Sequence, residues 1–491
     1  MSTRTQTPSG VRPANERHTP GDGEATNRWL VLGICCMSLF IVGIDTSGLN
    51  LALPSIKHDL DVSQSNLQWV IDAYTVVIAS LLMLSGSVAD RIGRKKLFRV
   101  GLAMFGLGSI LCAFATSGEF LIVARMVQAV GGSMLNPVAM SIITNTFTDA
   151  KERAQAIGYW GTAVGLSMAL GPLVGGVLVE SIGWQAIFWM NVPIVLLALV
   201  LTTRYVPESR AERPRGFDPA GQVLIIVMLG TLTYAIIEGR EDGWGSGPVL
   251  GCFAVAALSL VALGIIESRL DEPLINPRFF ASWPFSGAVL SAILGFSAQA
   301  GFLFLNTLYL QTVRGYPPIH AGLMTLPMAV MNAVMAPISG RITGRHGPRL
   351  PMVGAGIGIA VSGIMLAQLT PSTSSWFLAL AYAVFGTGFG LLNAPITNAA
   401  VSGMPRSQAG VASGIASSSR QIGAALGVAL FGTLAFGGMS GHDPRELASA
   451  SHPAWWLMAA CGAALVAVAL IVTSAAGRRS SDHVREQLID A

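Results

Sequence analysis

Two lone carboxylates, Asp45 and Asp72, stand inside the first two of a long series of apolar segments, where a charged side chain costs about 3 kcal/mol or more at the bilayer centre. A carboxylate in such a place can take up and release a proton as its surroundings change, and so can couple proton movement to another event. Arg125, within the fourth apolar segment, supplies the complement, a permanent positive charge that stabilises an anion brought beside it and helps expel that acid's proton. The competing readings are buried helix-to-helix hydrogen bonds for the two acids and an interfacial, snorkelling arginine. Enzyme chemistry has little to stand on, with no nucleophile-base pair, phosphate loop, metal cluster or cofactor box and none of the seven histidines in mid-span. The chain is expected not to be an enzyme and to need no metal or cofactor, its driving force being a proton gradient. All five cysteines lie in apolar runs without a CxxC pair and are expected to be free thiols.

The elements that must position these residues are spanning helices. The chain is 52% hydrophobic and 11% charged, against about 25% charged in a soluble domain. A spanning helix needs about 20 mostly apolar residues. That ruler gives six spans at 29–53, 66–86, 97–116, 119–145, 153–179 and 184–203, a polar linker over 204–218, two more at 219–238 and 248–267, and six at 283–311, 318–339, 350–369, 374–402, 407–437 and 454–475. The expected organisation is a disordered tail (1–28), an N-terminal six-helix bundle (29–203), two inserted helices (219–267), a C-terminal six-helix bundle (283–475) and a tail (476–491). Lys and Arg sidedness checks the count: Lys57, Arg240, Arg314 and Arg445 fall in loops on one side, Arg125 and Arg420 lie within spans, and the remaining 24 of the 30 basic residues fall on the other side. By the positive-inside rule that basic side is cytoplasmic, with both termini on it, in the cytoplasmic membrane. Nucleic-acid binding has no support beyond solvated basic loops.

Between the second and third spans runs Gly86-Ser87-Val88-Ala89-Asp90-Arg91-Ile92-Gly93-Arg94-Lys95-Lys96. A basic inner loop alone is only a topology signal, but the ordered Gly-x-x-x-Asp-Arg-x-Gly-Arg-Lys string is rare. At this string the chain resembles the major facilitator superfamily. The resemblance implies that Gly86, Asp90, Arg91, Gly93 and Arg94 form a gating loop that latches the cytoplasmic side without touching substrate. The matching loop of the second half, Gly340 to Arg349, has Gly344 where an acid would sit, so a symmetric latch is not expected.

Further strings resemble the fourteen-helix drug:proton antiporter branch of that superfamily. The fifth span carries a small-residue stripe, Gly161, Gly165 and Ala169, then Gly171-Pro172-x-x-Gly175-Gly176. The stripe alone permits close helix approach, whereas its Gly-Pro-x-x-Gly-Gly ending resembles the branch's antiporter signature. Arg125, Gln128, Gly131 and Gly132 resemble its Arg-x-x-Gln-Gly-x-Gly motif, with Ala129 at the first glycine. Asp45 lies in a first-helix acid motif of the branch, with Ser47 and Gly48 in place of the usual β-branched pair, and Asp72 lies in Gln68-Trp69-Val70-Ile71-Asp72-Ala73-Tyr74, a second-helix variant. Phe188 to Pro193, Tyr309-Leu310-Gln311 and Arg420-Gln421-Ile422-Gly423 extend the resemblance, which covers about residues 29 to 475. It implies an all-α fold of two six-helix bundles with two inserted helices and alternating access at a central cavity. It also implies proton-coupled export of small lipophilic drugs or antibiotics, cationic ones among them, by a monomer in the lipid bilayer. Gln128, Asn191, Gln311 and Arg420 are candidate cavity residues. Phe302, Phe304, Met324, Met328, Met331 and Met335 offer soft apolar surface, with ordinary packing as the competing reading. Proton-coupled import of a nutrient or metabolite by the same fold is the alternative function, and a non-transporting scaffold or sensor a third that leaves Asp45, Asp72 and Arg125 without a role.

Overall fold

The computed structural model describes residues 22–210, 218–239, 241–270, 277–402, 404, 409–439 and 445–489. Among them the chain is a succession of helices with no strand, as a lipid-embedded backbone that must satisfy its own hydrogen bonds requires. The first half contributes α1 (Asp22–Leu60), α2 (Gln64–Ile92), α3 (Arg94–Ala113), α4 (Gly118–Thr146), α5 (Ala150–Ser181) and α6 (Gln185–Tyr205). Then come α7 (Pro219–Glu238) and α8 (Gly247–Glu267). The second half holds α9 (Trp283–Leu308), α10 (Pro318–Met324), α11 (Leu326–His346), α12 (Arg349–Leu366), α13 (Ser375–Val401), α14 (Ala409–Gly437), the short α15 (Glu446–Ala450), α16 (His452–Val472) and α17 (Ala475–Ile489).

The sequence places the breaks. Ser63, Ser117, Asp218 and Ser374 cap α2, α4, α7 and α13 by accepting from backbone N–H groups of the first turn, and Pro219 opens α7 where its missing N–H costs nothing. Between α2 and α3, Gly93 takes φ +114°, a backbone that side chains resist.

Several boundaries differ from the sequence reading. The first helix begins at Asp22, so residues 22–28 continue the span as helix rather than belonging to a disordered tail; residues 1–21 lie outside the described residues. The ninth span ends in a π-helical turn over Tyr309–Val313, and the tenth is broken at Thr325 into α10 and α11. The C-terminal tail is helical as α17, and residues 211–217 of the linker lie outside the described residues. Among the described residues thirteen helices are long and apolar enough to cross a membrane, against the fourteen expected. The expected fifth span is the helix α5, where Gly161, Gly165 and Ala169 are among the positions whose packing lies outside the described residues.

Two helical bundles result. In the first, α1 packs along α5, α3 along α4 and α6, and α2 along α4; in the second, α9 packs along α14, α11 along α13, and α12 along α13 and α16. The core shows how the bundles meet. One apolar cluster joins Leu49, Leu53, Leu67 and Val70 of the first bundle to Phe302, Phe304, Leu305 and Leu308 of the second. A separate cluster, including Ile34, Leu82, Phe98, Phe105, Val138 and Ile142, stays within the first bundle, toward the end carrying the basic loops. The bundles therefore share a core at the end away from the basic loops, and the first bundle keeps its own core at the basic end.

Cross-bundle polar contacts follow the same division. Gln311 Nε2 donates to Leu51 O at 2.8 Å, Ile319 N donates to Glu180 Oε2 at 3.1 Å, and Gln68 Nε2 donates to the Val428 and Ala429 carbonyls at 3.3 Å.

Candidate functional site

Asp45 of α1 is fully buried and accepts three hydrogen bonds: from Arg125 Nη1 of α4 at 2.6 Å, from Gln128 Nε2 of α4 at 2.9 Å and from Asn191 Nδ2 of α6 at 2.7 Å. Arg125 and Gln128, three residues apart, share one helix face, and Arg125 Nη1 also donates to Gln128 Oε1 at 2.6 Å. The guanidinium is only 1% exposed, lies 3.9 Å over the Tyr74 ring and donates from Nε to Val70 O at 3.3 Å. Ser109 of α3 closes the network, accepting from Gln128 and Asn191 and donating to Phe105 O. The carboxylate ties α1, α4 and α6 directly, and Ser109 brings α3 into the same network. The structure thus places Gln128 and Asn191, candidate cavity residues by sequence, inside the first bundle as partners of Asp45. Ser109 and Tyr74 are members that sequence reasoning missed; Ser109 reads as a routine helix-packing serine and Tyr74 as an interfacial aromatic.

Asp72 is also fully buried, but neither of its oxygens finds a hydrogen-bond partner. Its flanks show which way it faces. Four residues before it Gln68 bonds carbonyls of α14, three before it Trp69 donates to Glu238 of α7, and four after it Val76 packs with Ile225 and Leu229 of α7 and Ala425 of α14. Asp72 therefore sits on the stripe of α2 that meets the other bundle and the inserted helix. The two sequence-flagged acids have opposite settings: one saturated with donors within a bundle, one bare at the seam between bundles.

The motif glycines of α5 mark backbone contacts. A Cβ on Gly171 would strike Ser47, and one on Gly175 would stand 2.7 Å from Gly48 Cα, so Ser47 and Gly48 suit this position because the two backbones touch there. Gly176 faces the second bundle, where a Cβ would lie 2.7 Å from Pro318 O, and the Pro172 carbonyl meets Gly322. The signature segment is a zone of close backbone approach to α1 on one side and α10 on the other.

At the basic end, Arg94 donates to Asp90 Oδ1 from Nη2 at 2.9 Å and from Nε at 3.2 Å. The loop is held by the segment after α6: Arg94 N donates to Ser209 O, Lys95 N donates to Glu208 Oε1 at 3.1 Å, and Lys95 Nζ donates to Thr203 O. Glu208, whose carboxylate sits at the start of α3, had no sequence signal beyond being an acid in a linker. Arg91 has an interaction of its own, and a Cβ at Gly86 would meet nothing within 4 Å. The equivalent glycines of the second half, Gly340, Gly344 and Gly347, are likewise unopposed.

Of the remaining candidates, Gln311 ties α1 across the bundles, and Arg420 donates to Ser417 Oγ at 3.0 Å and Thr397 Oγ1 at 2.7 Å, with its charge 6.0 Å from the Phe296 ring. Phe302 and Phe304 are fully buried, Phe302 stacking on Phe385 at 4.4 Å, which makes them core rather than exposed apolar surface. Met328 is buried as well, while Met324, Met331 and Met335 are partly exposed.

Two helical bundles, a pair of inserted helices and a buried acid-arginine network describe a secondary transporter. The sequence profile of the Major Facilitator Superfamily matches residues 35–428, and the chain belongs to that family. It is 36% identical over 398 residues to the multidrug resistance protein Stp of Mycobacterium tuberculosis, covering 81% of this chain and 74% of that protein. It is 35% identical over 456 residues to the tetracenomycin C resistance and export protein of Streptomyces glaucescens, covering 92% and 84%, and 36% identical over 428 residues to the cephamycin export protein of Amycolatopsis lactamdurans, covering 85% and 87%. Among solved structures, a peptide transporter in complex with sulfate superposes with a TM-score of 0.66 at 15% identity over 92% of this chain and 95% of that one, which is a likeness of fold.

Proposed function

We propose that the chain is a proton-coupled antiporter that exports small lipophilic molecules, drugs and antibiotics among them and cationic ones included, across the cytoplasmic membrane. The relatives' names, multidrug resistance and antibiotic export, support the export reading. The observation that carries the coupling is Asp72, a carboxylate in mid-span with no polar partner, at the seam where the bundles must rock. The basic residues put the 86–96 loop and both termini in the cytoplasm, so the described conformation is closed outside and faces inward.

In this reading a proton taken up from outside neutralises the seam acid and lets the bundles part on the cytoplasmic side. Substrate then enters from the cytoplasm or the inner leaflet as the proton leaves inward. Asp45 and Arg125 hold the first bundle rigid in this state, and a proton reaching Asp45 must displace one of its three donors. Asp90, Arg91 and Arg94, braced by Glu208, form the cytoplasmic latch when the inner side closes. Each proton moved inward releases about 2.3 kcal/mol per 100 mV of membrane potential. The transporter works as a monomer.

The test is efflux of a lipophilic cationic dye from cells expressing the wild type, Asp45→Asn or Asp72→Asn, with and without a protonophore. Protonophore-sensitive efflux that disappears in Asp72→Asn at equal expression supports the proposal. Efflux that persists after the membrane potential and pH gradient are collapsed refutes proton coupling.

A further inference from the structure

The inserted helices belong to neither bundle, and the proposed function has given them no task. Their position is specific. Near its basic end α7 is bonded to α2 through Gln222 Nε2, which donates to Ser80 O at 2.5 Å; at the other end Glu238 Oε1 accepts from Ser65 Oγ at 2.6 Å and from Trp69 Nε1 at 2.7 Å. Between these ties Ile225 and Leu229 pack on Val76 and Ala79 of α2 and on Ala425 of α14, and Thr433 Oγ1 of α14 donates to Ile236 O. Helix α7 therefore lies along the α2–α14 seam and covers the stripe formed by Ser65, Trp69, Asp72 and Val76. Thr233, buried between Leu229 and Ile236 on α7, falls opposite Asp72 by register.

We propose that Glu238 is the outer relay of the proton path, taking a proton from the external water and passing it to Asp72. This inference rests on the proton-coupled reading above. Glu238 is partly exposed at the outer end of α7, while its inner oxygen points at two donors on α2, the second of which, Trp69, lies one turn from Asp72. By register Asp72 lies level with Thr233, five residues or about 7.5 Å along α7 from Glu238, a span that the Thr233 hydroxyl and bridging waters cross. The step balances simply: hydronium protonates the Glu238 carboxylate, the resulting acid gives its proton to the Asp72 carboxylate, and Glu238 returns to the anion that Ser65 and Trp69 bind. Among the described residues the other charged groups along α7 stand at its opposite end, Asp218 at its cap and Glu267 of α8 beside Gly221. From α14 the single charge is Arg420, directed at Thr397 of α13 and toward Phe296 of α9. From α4, Arg125 is engaged with Asp45 on the opposite face of α2, and Glu119 lies in the first turn. Around Glu238 itself stand Tyr234 and Asp242, and residue 240 lies outside the described residues.

A purely structural tie makes a different prediction, because Glu238→Gln keeps an oxygen that accepts from Ser65 and Trp69 but cannot ferry a proton. The full-length protein is reconstituted in vesicles, and ethidium transport driven by an imposed pH gradient is compared with ethidium binding and with ethidium-for-ethidium exchange, which needs no net proton movement. Glu238→Gln is expected to slow gradient-driven transport about tenfold or more, with a larger loss at external pH 8 than at pH 6, and to leave binding and exchange unchanged. Thr433→Val, which removes a tie between α14 and α7 but leaves the Glu238 contacts in place, should stay within about twofold of wild type. Gradient-driven transport by Glu238→Gln equal to wild type overturns the relay, as does an equal loss in Glu238→Gln and Thr433→Val accompanied by weaker binding. A wild type that exchanges ethidium but shows no gradient-driven flux refutes the proton-coupled reading itself, and the relay with it.

Discussion

Removing one member of the Asp45–Arg125 pair should cost more when the acid is removed than when the base is. In Asp45→Asn the amide oxygen can still accept from Gln128 and Asn191, which now reach Asp45 Oδ1 at 2.9 and 2.7 Å. The amide nitrogen, however, must then face Arg125 Nη1 across the 2.6 Å now spanned by the ion pair, donor against donor. A guanidinium has no accessible neutral form, so the variant buries an uncompensated charge, at a cost of about 3–5 kcal/mol. In Arg125→Gln the Asp45 carboxylate keeps its two amide donors and can be neutralised by a proton, so the loss falls nearer that of a charged hydrogen bond, about 1.5–3 kcal/mol. Adding Arg125→Gln to Asp45→Asn removes the stranded cation, and the double variant should regain about 2 kcal/mol relative to the sum of the singles. Reversible unfolding of the purified protein in mixed micelles with a denaturing detergent reads all four stabilities. Arg125→Gln costing more than Asp45→Asn, or additivity within about 0.5 kcal/mol, would refute the claim that these two charges hold each other in the described state.

Other outcomes follow from the backbone contacts. Gly175→Val puts side-chain atoms against Gly48 backbone, where the first of them already stands 2.7 Å away, and should lower stability by about 1–3 kcal/mol or abolish folded yield on size-exclusion analysis. Gly176→Ala intrudes on Pro318 O across the bundles rather than within one; folded yield should be kept, while a cysteine placed at Ile319 becomes more reactive to an external thiol reagent. Gly93→Ala must hold φ near +114° and should cost about 1–3 kcal/mol in thermal unfolding. Gly86→Ala meets open space in the described state, so its melting temperature should match wild type while, on the proposed reading, dye efflux falls, since the cost arises only when the basic end closes on that loop.

How much of this was readable beforehand depends on whether a residue's partner lies nearby in sequence or must be found in space. The glycine stripe of the fifth span announces a close helix approach by its own spacing, and the structure supplies only the surface met, Gly48 and Ser47 at Gly171 and Gly175, and Pro318 at Gly176. Asp45 and Arg125 each stand out as a charge in an apolar run, yet eighty positions separate them, and nothing in either run shows that the same carboxylate also takes Gln128 and Asn191. A mid-span amide serves a cavity or a buried network equally well by sequence, so either residue reads as a cavity candidate. The break at Thr325 was hidden for another reason: α10 and α11 share one apolar run, and only the packing of Pro318 and Gly322 on α5 shows that the first part of it is a separate short helix.

Glu238 and Asp72 show why composition separates residues that geometry joins. A glutamate at the end of an apolar run reads as an interfacial acid that marks where a helix leaves the membrane, and the helix it ends reads as an addition to a two-bundle plan. Folding lays that helix in the seam between α2 and α14, ties its end to Ser65 and Trp69, and covers the face that carries Asp72. Asp45 is held by three donors that all come from its own bundle, so a rocking motion that keeps each bundle rigid leaves its surroundings unchanged. Asp72 lies where α2, α7 and α14 meet, and the same motion must alter its surroundings. An acid can couple proton binding to a conformational change only if the two states treat its charge differently, and on the proposed proton-coupled reading that condition assigns the role to Asp72 rather than Asp45.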